Sequence, residues 1–367
     1  MTDSSPGISA IILAAGMSKR MGAPKQLLRL AGATLLEHAL NNVRQSRAQE
    51  IILVLGHEAE AIRQQMPLDN VKVIVNPNYQ EGMGVSLRMG LSAIAPESRG
   101  AMIVLADQPL VRPATLDILI ERHRELNPQI VIPVYRGFRG NPVLLDRSVF
   151  PELSALTGET GCRAIFGDHT ESILMAEVDD VGILLDVDSQ YDLKKLSAGG
   201  PAERPLLEFA GGPRNAAGGQ QELVIVGRDS FAHALAAMAR LLRYAVTVVD
   251  PLLAPEEFPE ADCLLHVLDF SKLPAAAERH VVVASRGQFD EDALEQALAC
   301  GAAYVALVAN RKRGQEIQRH LRAKGIPQEK LAQVRAPAGL EIGAESPEEI
   351  ALSIMAEMVA ARPPRKR

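Results

Sequence analysis

The chain has 367 residues, too many for one ordinary core, which predicts two domains. Hydrophobic residues make up 47% and charged residues 23%, a globular composition that excludes a disordered chain. A net charge of −6 gives no general ground for nucleic-acid binding, so any anion site must be local. Cys162, Cys263 and Cys300 are far apart and show no CxxC or Cys/His spacing. That argues against a disulfide framework or a zinc site and for a reducing compartment. No basic stretch followed by an apolar run reads as an export signal, and no apolar run is long enough to span a bilayer. The expected location is cytoplasmic, with neither nucleic acid nor membrane as partner.

Apolar strand candidates come first at Ile8–Ala14, Ile51–Leu55, Val71–Val75, Ala101–Ala106 and Ile130–Val134. Amphipathic helical stretches such as Leu35–Gln45 and Thr115–Glu125 lie between them. Near-continuous apolar strands alternating with helices predict a parallel sheet covered on both faces. The pattern ends near Leu196. Residues 198–221, rich in Gly, Ala and Pro, read as a linker. A second alternation follows, with strands at Leu223–Val226, Ala245–Val249, Cys263–Val267, Val281–Ala284 and Tyr304–Val308. Its helices include Phe231–Leu242, Asp290–Cys300 and Pro347–Ala361, the last behind an N-cap at Ser346. The predicted fold is two Rossmann-like three-layer α/β domains, 1–197 and 222–362, with a basic tail at 363–367.

Directly after the first strand stands ILAAGMSKRMGAPKQLL, Ile12–Leu28. In an open α/β sheet, ligands bind beyond the carboxyl ends of the strands. Gly16 and Gly22 allow bending and close approach of an anion, and Lys19, Arg20 and Lys25 add charge that a polyphosphate can use. The loop is neither a Walker A sequence nor GxGxxG. Taken alone, a turn with solvated basic residues explains it equally well.

Three further stretches change that balance. IVLADQPLV puts Asp107 after the fourth strand, and LLDVDSQYDL puts Asp186 and Asp188 after the apolar run Gly182–Leu185. Phosphoryl transfer needs a hard cation, and Mg²⁺ prefers carboxylate oxygens, so Asp107 and Asp188 are candidate ligands. Asp186 shares a face with Asp188 if the segment is extended, and can assist. For any one of these carboxylates the plainer role is a turn or helix cap. NPNYQEGMGVSLRMGL brackets a helix start near Val85 with Gly82 and Gly84 and places Ser86 in its first turn, which suits an anion or a base edge, or simple capping. RGFRGNPVLL offers Arg136, Arg139 and Asn141 to a second anionic substrate, or forms a hairpin with exposed arginines.

In this order, LAAGMSKRMGAPK, EGMGVSL, LADQP, RGNPVLL and LLDVDS resemble the molybdenum cofactor nucleotidyltransferases over Ile8–Leu196. Ala14-Ala15-Gly16 is similar to the cytidylyl branch. The resemblance implies transfer of CMP from CTP to the molybdopterin cofactor, with release of pyrophosphate. It implies nucleotide binding by Leu13, Ala14, Ala15, Gly16, Arg20, Met21, Gly22, Lys25, Gly82 and Ser86. It also implies catalytic roles for Lys25 and Asp107, and Mg²⁺ on Asp107 and Asp188. The family often shows RGHP where this chain has Asn141. GETGCRAIF resembles the family's GDxGAR segment, with Glu159 and Cys162 as departures and Arg163 kept. Arg139, Asn141 and Arg163 are then the expected contacts to the cofactor. Because the attacking phosphate is already anionic, no strong base is needed, and His38, His57 and His123 read as surface or helix histidines.

LVIVGRDSFAHALAAMARLLRYAVTVVDP, Leu223–Pro251, has the outline of a βαβ unit, with Asp250 where a ribose-binding carboxylate would stand. Asp229 occupies the place of the second glycine of GxGxxA, which weakens an NAD-dependent oxidoreductase reading. Leu223–Arg362 resembles the C-terminal Rossmann domain of the XdhC/CoxI family, strongest at its end. That likeness implies binding of molybdenum cofactor, or its delivery to a xanthine-dehydrogenase-like client, with the basic run Arg311-Lys312-Arg313 facing a phosphate or solvent. The competing readings are a non-catalytic cofactor-binding chaperone and a cytidylyltransferase or guanylyltransferase with another phosphorylated acceptor.

Overall fold

The computed structural model describes residues 7–17, 24–156, 161–188, 190–197, 207–209 and 221–362. Contacts divide the chain into two compact units, Met1–Tyr135 with Arg139–Ala202 and Arg136–Phe138 with Glu203–Arg367.

The first unit contains strands β1 Ile8–Ala14, β2 Glu50–Leu55, β3 Lys72–Val75, β4 Gly100–Leu105, β5 Ile130–Tyr135, β6 Val143–Asp146 and β7 Ile173–Glu177. They run in the order β7-β5-β6-β4-β1-β2-β3. Strand β1 is central, with Ile11 in register with Ile52 on one side and Ile103 on the other. Its residues alternate between two buried layers. Ile8, Ala10 and Ile12 pack with Leu36, Leu40, Ile62, Leu116 and Leu119, while Ile11 packs with Leu87 and Leu91. The first group comes from helices α1 Leu35–Arg44, α2 Ala59–Gln65 and α4 Pro113–Leu126, and the second from α3 Met83–Ser92. Burying each such Leu or Ile contributes about 1.5–3 kcal/mol, so these layers fix where the strand ends lie. Helix α1 starts at a capping box in which Thr34 and Glu37 satisfy each other's backbone N–H.

The all-parallel expectation is corrected at β6. This strand is antiparallel to both neighbours, with Leu144 facing Met102 and Val131. Its residues VLL are buried, so their apolar run reads like any parallel core strand. The run Gly182–Leu185 is no strand but a single turn of 3₁₀ helix, Val181–Leu184, capped by the Asp180 side chain. Gly182 packs so closely that an added Cβ would stand 2.3 Å from the Leu110 carbonyl oxygen.

The second unit contains β8 Leu207–Phe209, β9 Gln221–Val226, β10 Ala245–Val249, β11 Cys263–Leu265, β12 Glu278–Val283, β13 Tyr304–Leu307 and β14 Val334–Arg335, in the order β8-β11-β10-β9-β12-β13-β14. Setting β8 aside, this is the 3-2-1-4-5-6 order of a dinucleotide-binding sheet. Strand β8 lies inside the stretch read as linker and pairs antiparallel with β11. The other predicted linker positions, apart from 221, and the tail 363–367 lie outside the described residues. Helix α5 Gln190–Ser197 ends the first unit; α6 Ser230–Leu241, α7 Asp290–Ala299, α8 Arg311–Ala323 and α9 Pro347–Ala360 follow in the second. Ala351, Ile354, Met355 and Met358 of α9 share a core with Leu235 and Ala239 of α6. No helix among the described residues is long and apolar enough to cross a membrane.

Candidate active site

A cavity of about 330 Å³ opens beyond the carboxyl ends of β1 and β4. Leu13, Ala14, Ala15, Gly16, Lys25, Gly82, Ser86 and Asp107 all line it. These residues come from four separate stretches of chain, and the parallel strands bring them to one edge. Arg20, Met21 and Gly22, together with Lys19, Gly158 and Glu159, lie outside the described residues.

The β1 exit is held from beneath by Gln26, which the sequence reading missed. It is 2% exposed, and its Nε2 donates to the carbonyls of Ala14 at 2.9 Å and Gly16 at 3.2 Å. Nothing in the run PKQLL tells a buried clamp from a surface glutamine. Gly16 has no positive φ, and an added Cβ there meets nothing within 4 Å among the described residues. Its backbone is simply open to the cavity. The glycine that packing demands is Gly56, where a Cβ would fall 2.8 Å from the Ala15 oxygen.

On the opposite wall, Gly82 has a φ of 107°, a conformation that favours glycine, and α3 begins at the next residue. Ser86 is buried and accepts a hydrogen bond from Asn76 Nδ2 at 2.9 Å. Asn76 in turn accepts from the Asn78 amide, so the hydroxyl stands on a fixed support.

Charge concentrates around Lys25. Its Nζ is paired with Asp107 and donates to Asp188 Oδ1 at 3.1 Å. Burial pulls the Lys25 ammonium's pKa down, but Asp107 and then Asp188 outweigh it and hold it above the ordinary lysine value. Asp188 is largely exposed, whereas Asp107 is mostly covered.

The two aspartates of the LLDVDS segment part company. Asp188 turns to Lys25, while Asp186 accepts from Gln108 Nε2 at 2.6 Å. Asp186 is pushed up to about 7, first by burial and then by the Asp107 charge. The segment belongs to no strand, and Asp186 nevertheless stands within electrostatic reach of Asp107, Asp188 and Lys25. The segment is docked by the Val187 amide on the Asp107 carbonyl, at 2.9 Å, and by Gln108 Nε2 on the Ile183 carbonyl, at 3.2 Å.

The Asn141 amide donates to that same Ile183 carbonyl at 3.1 Å. Gly140 permits the approach, because a Cβ there would lie 2.5 Å from the oxygen. The loop carrying Arg139 and Asn141 therefore rests on the segment that leads to Asp188. Arg163 is exposed two residues beyond Gly161, where a Cβ would meet Met83 Sδ of the cavity wall at 3.1 Å. Neither Arg139, Asn141 nor Arg163 lines the cavity itself.

Of the histidines, His123 is buried in α4 and bonded to Asp146 at 3.0 Å, so it is a helix histidine but not a surface one. In the second unit, Arg313 pairs with Asp290 and Glu291, and Arg311 approaches Glu341 at 3.8 Å. The basic run thus spends much of its charge within the chain.

Residues 10–173 match the family described as the MobA-like NTP transferase domain, and residues 223–358 match the XdhC Rossmann domain. Over 149 residues the chain is 36% identical to the protein YqeB of Escherichia coli (strain K12), which is 39% of this chain and 27% of YqeB. It is 28% identical over 200 residues to nicotine blue oxidoreductase of Paenarthrobacter nicotinovorans, 52% of this chain and 97% of that protein. It is also 28% identical over 188 residues to molybdenum cofactor cytidylyltransferase of Escherichia coli (strain K12), 50% of this chain and 93% of that protein.

Proposed function

We propose that this chain, which joins a MobA-like NTP transferase domain to an XdhC Rossmann domain, transfers CMP from CTP to the molybdopterin cofactor, giving molybdopterin cytosine dinucleotide and pyrophosphate. The observation that carries the reading is that Lys25 and Asp107 line the cavity with the β1 exit and the start of α3, and that Lys25 also binds Asp188. The choice of CTP over GTP leans on the cytidylyltransferase relative and on the Ala14-Ala15-Gly16 sequence.

The chemistry asks little of a general base. The attacking oxygen belongs to a phosphate that is already anionic, so positioning and charge neutralisation supply the rate. Lys25 stays protonated and faces the growing charge on the triphosphate. Main-chain groups from Ala14 to Gly16, held by Gln26, border the nucleotide. Arg139, Asn141 and Arg163 are the residues we assign to the acceptor phosphate.

Asp107 and Asp188 both reach the Lys25 ammonium, so their oxygens lie close enough together to share a cation. No cluster of three or more His, Cys, Asp or Glu side chains suited to a metal exists among the described residues. The pair Asp107 and Asp188 suits an ion such as Mg²⁺, which takes one or two carboxylates and completes its shell with water and phosphate. When bound, such an ion would neutralise triphosphate charge.

For the second unit we propose that it holds the product or hands it to a xanthine-dehydrogenase-like client. Fusion would keep the product at high effective concentration near that surface.

The test is pyrophosphate release by the purified chain with Mg²⁺, molybdopterin cofactor and either CTP or GTP. CTP-dependent release that falls about 10²–10³-fold in Asp107→Ala and Asp188→Asn is expected, the usual cost of losing one charge-stabilising group. GTP preference would reassign the nucleotide, and cofactor binding with no release would favour a chaperone. Measuring NADH oxidation in the same preparation tests the oxidoreductase reading that the Paenarthrobacter relative's name raises.

A further inference from the structure

A dinucleotide-binding unit reads its ligand at two places. The pyrophosphate lies on the N-terminus of the first helix, where a glycine lets it approach, and a carboxylate at the end of the second strand takes a ribose. In the second unit, β9 is the first strand, α6 the first helix and β10 the second strand. The turn between β9 and α6 keeps the frame of the glycine motif. Gly227 has a φ of 120°, and an added Cβ would stand 2.4 Å from the Ala284 carbonyl oxygen, so the tight turn needs glycine. Ala232, at the third motif position, is fully buried between helix and sheet. Only the middle position is changed, to Asp229.

We propose that Asp229 is a built-in substitute for the ligand's phosphate, and that this crevice excludes dinucleotides. The Asp229 carboxylate takes the donors that a phosphate would take. Oδ1 accepts from the amides of Phe231 at 3.0 Å and Ala232 at 3.1 Å, and Oδ2 accepts from Arg286 Nε at 2.7 Å. Arg286 reaches across from the loop after β12, the strand on the other side of the topological switch point. The ribose-reading place is filled as well. Asp250 is buried, accepts from the Leu252 amide at 2.9 Å and lies 3.4 Å from Arg228 Nε.

A pyrophosphate entering here would meet a fixed negative charge and would have to strip Arg286 from its partner. Both reading positions are thus satisfied by the chain itself, and the fold is kept without its usual ligand. Docking of the cytosine dinucleotide product on this unit, if it occurs, would use another surface.

The experiment is titration of the full chain with NADH and with ADP-ribose, following NADH fluorescence and binding heat. The wild type is expected to show no saturable binding. Asp229→Gly leaves another favoured capping residue at the helix start and frees the helix N-terminus and Arg286. It is expected to bind ADP-ribose saturably, about tenfold or more tighter than the limit the wild-type titration sets, the worth of a hydrogen bond to a charged group. Asp229→Ser keeps a capping oxygen without the charge and is expected to fall between. Equal binding by wild type and Asp229→Gly would overturn the proposal. So would a folded Asp229→Gly, judged by an unchanged circular dichroism spectrum, that gains no affinity.

Discussion

Replacing Gln108 by Leu tests whether the segment carrying Asp188 is held by the amide beside Asp107. The wild-type amide donates to Asp186 at 2.6 Å and to the Ile183 carbonyl at 3.2 Å. Losing a donor to a carboxylate costs about 1.5–3 kcal/mol. The Ile183 carbonyl keeps the Asn141 amide, so its loss adds little. Against this, Gln108 Oε1 is buried without a partner among the described residues, and removing it returns about 1 kcal/mol. The net expectation is destabilisation of the first unit by about 0.5–2 kcal/mol, or a fall in Tm of about 1–8 °C for a domain of this size. The chain has no tryptophan, so far-UV circular dichroism is the suitable probe of unfolding. Amide exchange at Val187, which is bonded to the Asp107 carbonyl, should quicken in parallel. A first-unit transition at the wild-type temperature, with Val187 still protected, would refute the reasoning.

Two other outcomes follow from packing and charge in the same unit. Gly182→Ala would press a methyl to 2.3 Å from the Leu110 oxygen, and overpacking of this kind costs about 1–3 kcal/mol, readable as an earlier urea midpoint. His123 has its pKa lowered below 6.5 mainly by burial, with Asp146 opposing and Arg99 adding to the effect. The folded state therefore binds this proton less readily than the unfolded chain, and the contribution is full above 6.5 and is lost as pH falls through that value. Urea midpoints measured from about pH 7.5 down to about pH 5.5 should drop less steeply in His123→Gln than in the wild type. Parallel curves would contradict this.

By itself the sequence determined the alternation of strand and helix in both halves, since apolar periodicity and caps act locally. Ile8–Ala14 and Ala245–Val249 fall where the pattern puts them, and Ser346 caps α9 through its bond to the Glu349 amide. It also singled out Lys25, Asp107 and Asp188, because a cation after one strand, a carboxylate after another and a third charge after an apolar run are an uncommon set. Tertiary structure decided the rest. The antiparallel direction of β6 depends on which neighbours it inserts between, and a buried apolar run carries no sign of direction. The hydrogen bond that Asp186 accepts comes from Gln108, which is close in space but 78 positions away. Gln26 is a clamp only because the fold buries it at the β1 exit, and Asp229, a helix cap through its local bonds, meets Arg286 only because that residue arrives from the loop after another strand. Hydrogen bonds of this kind join residues that no local period relates, so they exist only once the sheet has set its strand order.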